Sequence, residues 1–333
     1  MHPECTAYDY ERFREQIKNI LNKNEICLVL DLPTEKKLQC GILYFSLNQW
    51  AGEGVFFDEF KARKKLLDFL SDVRKLCADS FSLATIDCKE IGEDETYFVL
   101  VLNSEKEPIT LLTFRLSAEK EMVTLRVEFP DVFGFIKQYR NLLSRSSSVP
   151  SDSFPVQVGV IVLNDEKETV KKYCEEICAL LREKYTIEVL HLNQNYRDEE
   201  TRWLESGVPA IVEIGRIAAK NRHVILVGRE ERQTVPFDSM IEQIGRIGRI
   251  NKENFFGASL KRNREWMEKV SDYSSLKQGN RFCCCLNSDC LNRIREDKGF
   301  QVIAQTFSDR LFSEECILCG KRPKACLFGL MKK

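Results

Sequence analysis

The distribution of cysteines is the feature of this sequence that most constrains its fold. Fourteen cysteines occur among 333 residues, and half of them lie between Cys283 and Cys326. The first residues contain neither the basic segment nor the apolar run that directs secretion. We therefore expect a cytoplasmic, reducing environment, in which disulfides are rare. Clustered cysteines in such an environment indicate metal ligands before reactive thiols.

Two short-spaced cysteine pairs define a candidate metal site. Cys285 and Cys290 form the first pair, and Cys316 and Cys319 form the second pair after 25 intervening residues. Each pair places two thiolates on one turn, and the intervening segment brings the two turns to one ion. Because four thiolates complete a tetrahedron and exclude water, the spacing predicts a structural Zn²⁺. A set of metal-free buried thiols is the alternative. The other candidates for the place of Cys285 are Cys283 and Cys284.

Length and composition indicate a folded chain of two or three domains. Hydrophobic residues make up 43 % and charged residues 30 %, with a formal net charge of −1, which excludes a disordered or collagen-like chain. No apolar run approaches ~18 residues, so no membrane-spanning helix and no membrane partner are expected. A serine-rich stretch over 146–153 predicts a linker. We therefore expect domains over 1–145, 154–252 and 253–333.

Apolar periodicity predicts a mixture of α+β and α/β domains. The first domain should be α+β, with an antiparallel meander of three strands joined by charged turns. The second alternates strands and helices and begins with an apolar strand at Val156–Leu163, which predicts an α/β layer with a mostly parallel sheet. The tail should form a small zinc-binding α+β domain. The meander strands are predicted at Thr96–Leu102, Ile109–Leu116 and Met122–Phe129.

Several segments after the linker occur in an order that resembles a known family. They are Pro155–Val162, Trp203–Gly215, Arg222–Arg229 and Val235–Phe237, followed by the cysteine-rich tail. Together they resemble the C-terminal half of prolyl-tRNA synthetase of the archaeal and eukaryotic type, over a little more than half of the chain. The resemblance implies a class II anticodon-binding domain followed by the family's C-terminal zinc domain.

The residues before Pro155 depart from the family pattern. The family's catalytic domain is longer than the stretch that precedes Pro155 in this chain. The triplet Arg126-x-Glu128 resembles the family's ATP-binding Arg-x-Glu motif, but charged and apolar residues alternating on an antiparallel strand explain it equally well. No glycine-rich strand ending in arginine accompanies it. We therefore expect that the catalytic domain is absent and that this chain is not an enzyme on its own.

The positions that read the anticodon in the family also differ here. The resemblance aligns them with Glu200, Leu204 and Ile211. An acidic group cannot stack on a base, and aliphatic side chains cannot make bidentate base contacts. The candidates near the family's remaining RNA contact region are Arg229, Arg232 and Gln233. The candidates from a basic series later in the chain, which could follow a phosphate backbone, are Arg246 and Arg249.

These patterns predict a non-catalytic, prolyl-tRNA synthetase-like protein. It would bind tRNA, another structured RNA, or a protein partner in translation such as a synthetase. One alternative is the tRNA-binding subunit of a split synthetase that works with a separate catalytic chain, and another is a protein-interaction scaffold. The sequence pI near 6.4 is not that of a dedicated nucleic-acid binder, so the RNA expectation depends mainly on the resemblance. The fold of the N-terminal domain is informative, because a six-stranded antiparallel sheet with relics of an ATP site would indicate an eroded synthetase.

Overall fold

Two β-sheets organise the chain in the computed structural model. The helices are α1 (Pro3–Lys23), α2 (Glu59–Ser80), α3 (Val132–Ser144), α4 (Glu168–Arg182), α5 (Tyr196–Ser206), α6 (Arg216–Asn221), α7 (Met240–Trp266) and α8 (Ser288–Lys298). The strands are β1 (Cys27–Cys40), β2 (Leu43–Phe56), β3 (Ile86–Glu90), β4 (Glu95–Leu102), β5 (Pro108–Glu119), β6 (Met122–Phe129), β7 (Val158–Leu163), β8 (Ile187–Leu192), β9 (Ala210–Ile214), β10 (His223–Val227), β11 (Arg232–Pro236), β12 (Arg281–Cys284), β13 (Val302–Thr306) and β14 (Ala325–Leu330). The structure describes residues 3–331 except positions 25, 41–42, 92–94, 104, 120–121, 147, 151–155, 164–166, 193–195, 207, 230, 308–310, 312 and 314.

The larger sheet is antiparallel throughout its described strands. Its order is β1-β2-β6-β5-β4-β3-β13-β14-β12, so the first six strands of the chain form one continuous block. The neighbours β4, β5 and β6 confirm the predicted meander. The sequence does not predict β3, because three of its five residues are charged. Pairing with β4 on one side and with β13 on the other stabilises this short strand.

Helices α1, α2 and α3 cover one face of the six N-terminal strands. The alternation of side chains along β4 divides the two faces, because Val99 and Val101 lie in the helix-covered core while Leu100 and Leu102 face the tail. Asp58 and Asp131 cap α2 and α3, and each carboxylate accepts a hydrogen bond from a first-turn N–H. An aromatic cluster fills the centre of this core and consists of Phe13, Phe81, Phe129, Phe135 and Tyr139.

The smaller sheet is mixed rather than mostly parallel, which corrects the sequence-based expectation. Its order is β11-β10-β9-β7-β8, and β7 is parallel to both β8 and β9. Strand β10 is antiparallel to β9 and to β11. The physical reason is the length of the connections. A parallel crossover needs a dozen or more residues, whereas only residues 215–222 separate β9 from β10.

Helix α7 joins the two sheets. A short 3₁₀ turn at Phe237–Ser239 leads into it, and its first half packs on the smaller sheet. Further along, Phe255 enters the N-terminal core and lies 6.3 Å from Tyr139 between ring centroids. At its end, Trp266 packs edge-on against Phe328 of β14 at 5.8 Å. The tail therefore extends the N-terminal sheet and also packs on the end of α7.

The division into three domains stays a prediction. The boundary expected at 252–253 falls inside α7. Of the expected linker 146–153, positions 147 and 151–153 lie outside the described residues, and Val149 is buried in the N-terminal core. Among the described helices, none combines the length and the hydrophobicity that crossing a bilayer requires.

Candidate metal centre and basic surface

The first cysteine pair lies where β12 passes into α8. Cys285 directly follows the last residue of β12, and Leu286 turns the backbone through the left-handed region at φ 59°. Asn287 then caps α8, and its side-chain oxygen accepts a hydrogen bond from the Asp289 N–H at 2.8 Å. Cys290 consequently lies in the first turn of α8, on the side that faces Cys285.

The second pair lies on a tight turn that is fixed to β12. The Gly320 N–H donates to the carbonyl of Cys316 at 3.0 Å, and Gly320 has a φ of 71°, which glycine tolerates without strain. The N–H groups of Ile317 and Lys324 donate to carbonyls of β12 at 2.9 and 2.8 Å. The two turns therefore approach each other through main-chain hydrogen bonds as well as through the cysteines.

The four predicted ligands lie together. The sulfur atoms of Cys285, Cys290, Cys316 and Cys319 are all within 4.8 Å of one another, and the Cys285 and Cys319 sulfurs are 3.7 Å apart. Thiolates bound tetrahedrally to zinc at about 2.3 Å lie ~3.8 Å from one another. The sulfur positions therefore fit a four-thiolate metal site, and a zinc ion bound there would hold the two turns together.

The surroundings of the sulfurs favour a shared negative charge. Burial raises the pKa of Cys316, but hydrogen bonds from the N–H groups of Cys319, Leu318 and Cys285 outweigh it and lower the pKa to about 6. For Cys290, burial and hydrogen bonds with the neighbouring cysteine sulfurs raise the pKa. Main-chain hydrogen bonds thus favour the thiolate of Cys316, which is the form that binds a metal ion.

The alternative ligands do not join this group. Cys283 and Cys284 are buried in β12, and Cys283 pairs with Cys326 across the ladder between β12 and β14. The Cys284 sulfur accepts the Leu286 N–H at 3.4 Å, and burial raises the pKa of Cys284 to about 12. The geometry therefore favours Cys285 over either neighbour as the fourth ligand.

Arg229 lies between the smaller sheet and the end of the N-terminal region. Its guanidinium donates to the main-chain carbonyl of Ser146 and, at 2.9 Å, to that of Leu204. Burial lowers its pKa from the ordinary value. These contacts give Arg229 a structural role, and its contact with RNA stays a prediction.

Arg232 is part of an ionic cluster that also contains the half-buried Glu200 and the buried Glu213. It donates to Glu200 of α5 at 2.8 Å and to Glu213 of β9 at 2.5 Å. Glu213 is only 2 % exposed, which is unusual for a carboxylate. Burial first, and the adjacent Glu200 carboxylate next, raise the pKa of Glu213 to about 7, while Arg232 opposes the shift. Near neutral pH the two carboxylates therefore share a proton beside one arginine.

The raised pKa of Glu213 predicts a pH-dependent stability. Because the folded state holds this proton up to about pH 7 and the unfolded chain releases it near 4.5, the folded state binds more protons between these values. The contribution of Glu213 to the free energy of unfolding should be fully present below about pH 4.5. It should decrease by roughly 2–3 kcal/mol as the pH rises through 7. Melting temperatures of wild type and Glu213→Gln across this range measure the effect.

Glu213→Gln should flatten this part of the pH profile. Glu188→Gln is the matched control, because Glu188 is an exposed carboxylate on β8 of the same sheet. An unchanged profile in Glu213→Gln would show that Glu213 ionises normally in the folded protein.

The remaining RNA candidates differ in their surroundings. Gln233 is half-buried on β11, beside Arg232. The Arg246 Nε donates to Gln243 at 2.8 Å, and the guanidinium also lies 3.7 Å from Glu231. Arg249 is exposed and lies one turn further along α7, where it lines a cleft of about 190 Å³. Arg246 and Arg249 therefore form a basic face on α7, and Arg249 is its more accessible member.

Two of the positions that the resemblance aligns with anticodon-reading residues are apolar packing positions. Ile211 is fully buried against Trp203 and Val227, and Leu204 packs against the same cluster. Glu200 is held by Arg232, as described above. The sequence analysis missed Glu213, the third member of that cluster. Its signal was a single acidic residue within the otherwise apolar strand Ala210–Ile214.

Comparison with known proteins agrees with the geometry of the smaller sheet. The family described as "Anticodon binding domain" matches residues 157–247. A proline–tRNA ligase 2 of Bacillus cereus is 26 % identical over 192 residues, which are 54 % of this chain and 40 % of the relative. A proline–tRNA ligase of Methanococcus maripaludis is 25 % identical over 175 residues, covering 50 % of this chain and 35 % of the relative. The aligned region is thus well under half the length of these relatives.

A solved structure extends the similarity in fold beyond this region. The prolyl-tRNA synthetase of Cryptosporidium parvum, solved with halofuginone and AMPPNP, matches with a TM-score of 0.72 at 16 % identity. The match covers 86 % of this chain and 68 % of the synthetase chain. Because residues 146–333 are little more than half of this chain, the shared fold includes most of the N-terminal region. Residues 157–247 therefore match an anticodon-binding domain, and about half of the chain is similar in sequence to proline–tRNA ligases.

Proposed function

We propose that this chain is a non-catalytic, prolyl-tRNA synthetase-like protein that binds tRNA through its anticodon-binding domain. The proposal is based on the match of residues 157–247 to an anticodon-binding domain. It is also based on Arg246 and Arg249 of α7, the helix whose first half packs on the sheet of this domain. Zinc at the four cysteines would stabilise the tail, and no reaction would take place there.

The α7 face offers phosphate contacts without a fixed base sequence. Arg246 and Arg249 are three residues apart on a helix and so lie on the same side. The anticodon-reading positions differ from those of the family, since Ile211 is buried and Glu200 is held in an ion pair. We therefore expect tRNA binding that depends on phosphate contacts more than on the proline anticodon.

Arg249→Ala tests this surface. Removing one phosphate contact should weaken tRNA binding by roughly three- to tenfold at low salt and reduce the slope of log K against log[salt] by about 1. Filter binding with total tRNA between about 50 and 200 mM salt measures both quantities.

Lys172→Ala is the matched control, because Lys172 is a well-exposed cation on α4 of the same domain. It should leave both the affinity and the salt slope near their wild-type values. Binding by the wild-type chain that does not change with salt would refute the phosphate contacts. An absence of tRNA binding would favour the protein-interaction scaffold.

The non-catalytic part of the proposal has its own support. Arg126 and Glu128, which resemble the family's ATP-binding motif, form an ion pair with each other at 2.9 Å on β6. The two side chains lie on the same face of the strand, where opposite charges attract, so their pairing explains the motif without a bound nucleotide. Proline-dependent ATP–pyrophosphate exchange by the purified chain would contradict a non-catalytic role.

The N-terminal domain fits a remnant of a synthetase better than an unrelated fusion. Its six antiparallel strands, ordered β1-β2-β6-β5-β4-β3, lie within the sheet that the tail completes. The similarity in fold to the Cryptosporidium parvum synthetase supports this origin, because it extends over most of the domain.

A further inference from the structure

Two cysteines of the tail that lie outside the four-sulfur group face each other in the larger sheet. Cys283 of β12 and Cys326 of β14 are register partners in an antiparallel ladder, and each side chain is only 1 % exposed. Residues directly opposite each other on antiparallel strands project their side chains from the same face. The two thiols are therefore neighbours across the ladder, although they are far apart in the sequence.

The main-chain hydrogen bonds of β12 show which kind of pair this is. An antiparallel ladder alternates between pairs that exchange two hydrogen bonds and pairs that exchange none. The N–H and the carbonyl of Arg281 both bond to residues 268–270 at 2.9 Å, and the carbonyl of Cys283 accepts the Ile317 N–H at 2.9 Å. These groups point away from β14, because the N–H and the carbonyl of one strand residue point to the same side. Cys283 and Cys326 are therefore a non-hydrogen-bonded pair.

A non-hydrogen-bonded pair has the dimensions that a disulfide needs. Its Cα atoms lie ~4.5 Å apart, and its side chains approach each other more closely than those of a hydrogen-bonded pair. A disulfide needs Cα atoms ~4.4–6.8 Å apart and Cβ atoms that do not point away from each other. Cys284 is the next residue of β12, but it projects from the opposite face and its register partner is Ala325. The geometry therefore singles out Cys283 and Cys326.

We propose that Cys283 and Cys326 form a reversible disulfide that holds the tail together independently of metal. The bond joins β12, which precedes the first metal-ligand pair, to β14, which follows the second pair. All four candidate ligands thus lie in the loop that the bond closes. A cross-link of this kind stabilises a fold mainly by restricting the unfolded chain. The tail would therefore have two fastenings, a metal ion and a disulfide, at different places.

The oxidant in this proposal is a small disulfide such as oxidised glutathione. One cysteine sulfur attacks it, forms a mixed disulfide and releases one glutathione, and the second cysteine sulfur then attacks the mixed disulfide and releases the other glutathione. Two cysteine thiols are oxidised to one disulfide, oxidised glutathione is reduced to two thiols, and the two cysteine protons pass to these thiols. Since the sulfurs are buried, the first attack requires β12 to open, and β12 is a four-residue strand at the edge of the sheet.

Peptide mapping of the full chain, supplied with zinc and equilibrated in increasingly oxidising glutathione buffers, tests the proposal. Trypsin releases Cys283 in peptide 282–293 and Cys326 in peptide 325–332, where it is the sole cysteine. Oxidation should link these two peptides, and a reductant should separate them again. Cys283→Ala should abolish the link. Cys284→Ala is the matched control, because Cys284 lies in the same peptide but on the opposite face of β12, and it should retain the link.

Thermal melting tests whether the bond holds the tail. After a chelator removes metal, oxidised wild type should melt roughly 5–15 °C above oxidised Cys283→Ala, and a reductant should remove most of this difference. Cys326→Ala should behave like Cys283→Ala, so a folding defect in one variant does not decide the result. If the two peptides never link in oxidising buffer, or if they link equally in Cys283→Ala, the proposal is wrong. Equal melting of the oxidised proteins would overturn the stabilising role of the bond.

Discussion

Replacing Cys316 with serine should abolish stoichiometric zinc binding and unfold the tail well below the melting temperature of the wild-type chain. The four sulfurs lie within 4.8 Å of one another, so the loss of one ligand opens the tetrahedron. Structural zinc in zinc-finger peptides binds with an apparent free energy of ~10–16 kcal/mol, and binding free energy of this kind is folding free energy. We therefore expect a loss of several kcal/mol in the tail, which is the largest effect predicted for this protein.

The effect should extend beyond the metal site. Strand β13 pairs with β3, and β12 and β14 complete the same sheet, so disorder in the tail would expose the edge of β3. Metal analysis of the purified chain should give one zinc ion per wild-type chain and none in Cys316→Ser. Thermal melting with and without a chelator should show an early transition that Cys316→Ser reproduces.

Cys283→Ala is the matched control for the metal site. Cys283 is buried in β12 two residues before Cys285 but lies outside the four-sulfur group. It should keep full zinc content and lose only the packing of one small side chain. Full zinc content in both Cys316→Ser and Cys285→Ser would refute the assigned ligands, and wild-type protein without zinc would support the metal-free thiols.

Arg140→Met should destabilise the N-terminal domain by about 3–5 kcal/mol near neutral pH, because it leaves a charge buried without its partner. Arg140 and Asp9 are 3 % and 0 % exposed in their side chains and lie 2.5 Å apart between α3 and α1. Burial already raises the pKa of Asp9 to about 6, although Arg140 and Arg12 oppose the shift. Without Arg140, ionised Asp9 keeps only the weaker attraction of Arg12, so the penalty should be larger at about pH 8 than at about pH 5.

Denaturant unfolding at these two pH values measures the difference. Combining Asp9→Leu with Arg140→Met should recover most of the loss, because two apolar side chains in place of a buried ion pair are often neutral or stabilising. Arg14→Met is the surface control, since Arg14 pairs with Glu11 in an exposed contact, and it should change stability by less than about 0.5 kcal/mol. A loss below about 1 kcal/mol in Arg140→Met would show that Asp9 is not charged in the folded protein.

The sequence was sufficient wherever a short stretch of chain carries the information. The cysteine spacing identified all four sulfurs that the structure brings together. The meander strands β4, β5 and β6 follow directly from their alternating side chains and charged turns. Such features can be predicted because they depend only on residues close to one another in the sequence.

Interactions between distant segments explain most of what the sequence did not predict. The orientation of β10 depends on the length of the connection that precedes it. Strand β3 forms because it pairs with two neighbouring strands, and its own five residues do not indicate that pairing. Arg232 carries a charge that suggested an RNA contact, yet Glu200 and Glu213 surround it. A charged side chain that the sequence suggests as an RNA contact can therefore form ion pairs within the protein instead.

The sequence by itself determined the four cysteines that lie together and the strands of the meander, because spacing and periodicity encode them along the chain, whereas the anticodon-binding domain was expected from the resemblance to a known family. Only the tertiary structure decided that the tail and the N-terminal domain share one sheet, and that Cys283 and Cys326 lie opposite each other across one ladder. The physical reason is that strand pairing and burial join residues far apart in sequence, where no local pattern records which partner each will have.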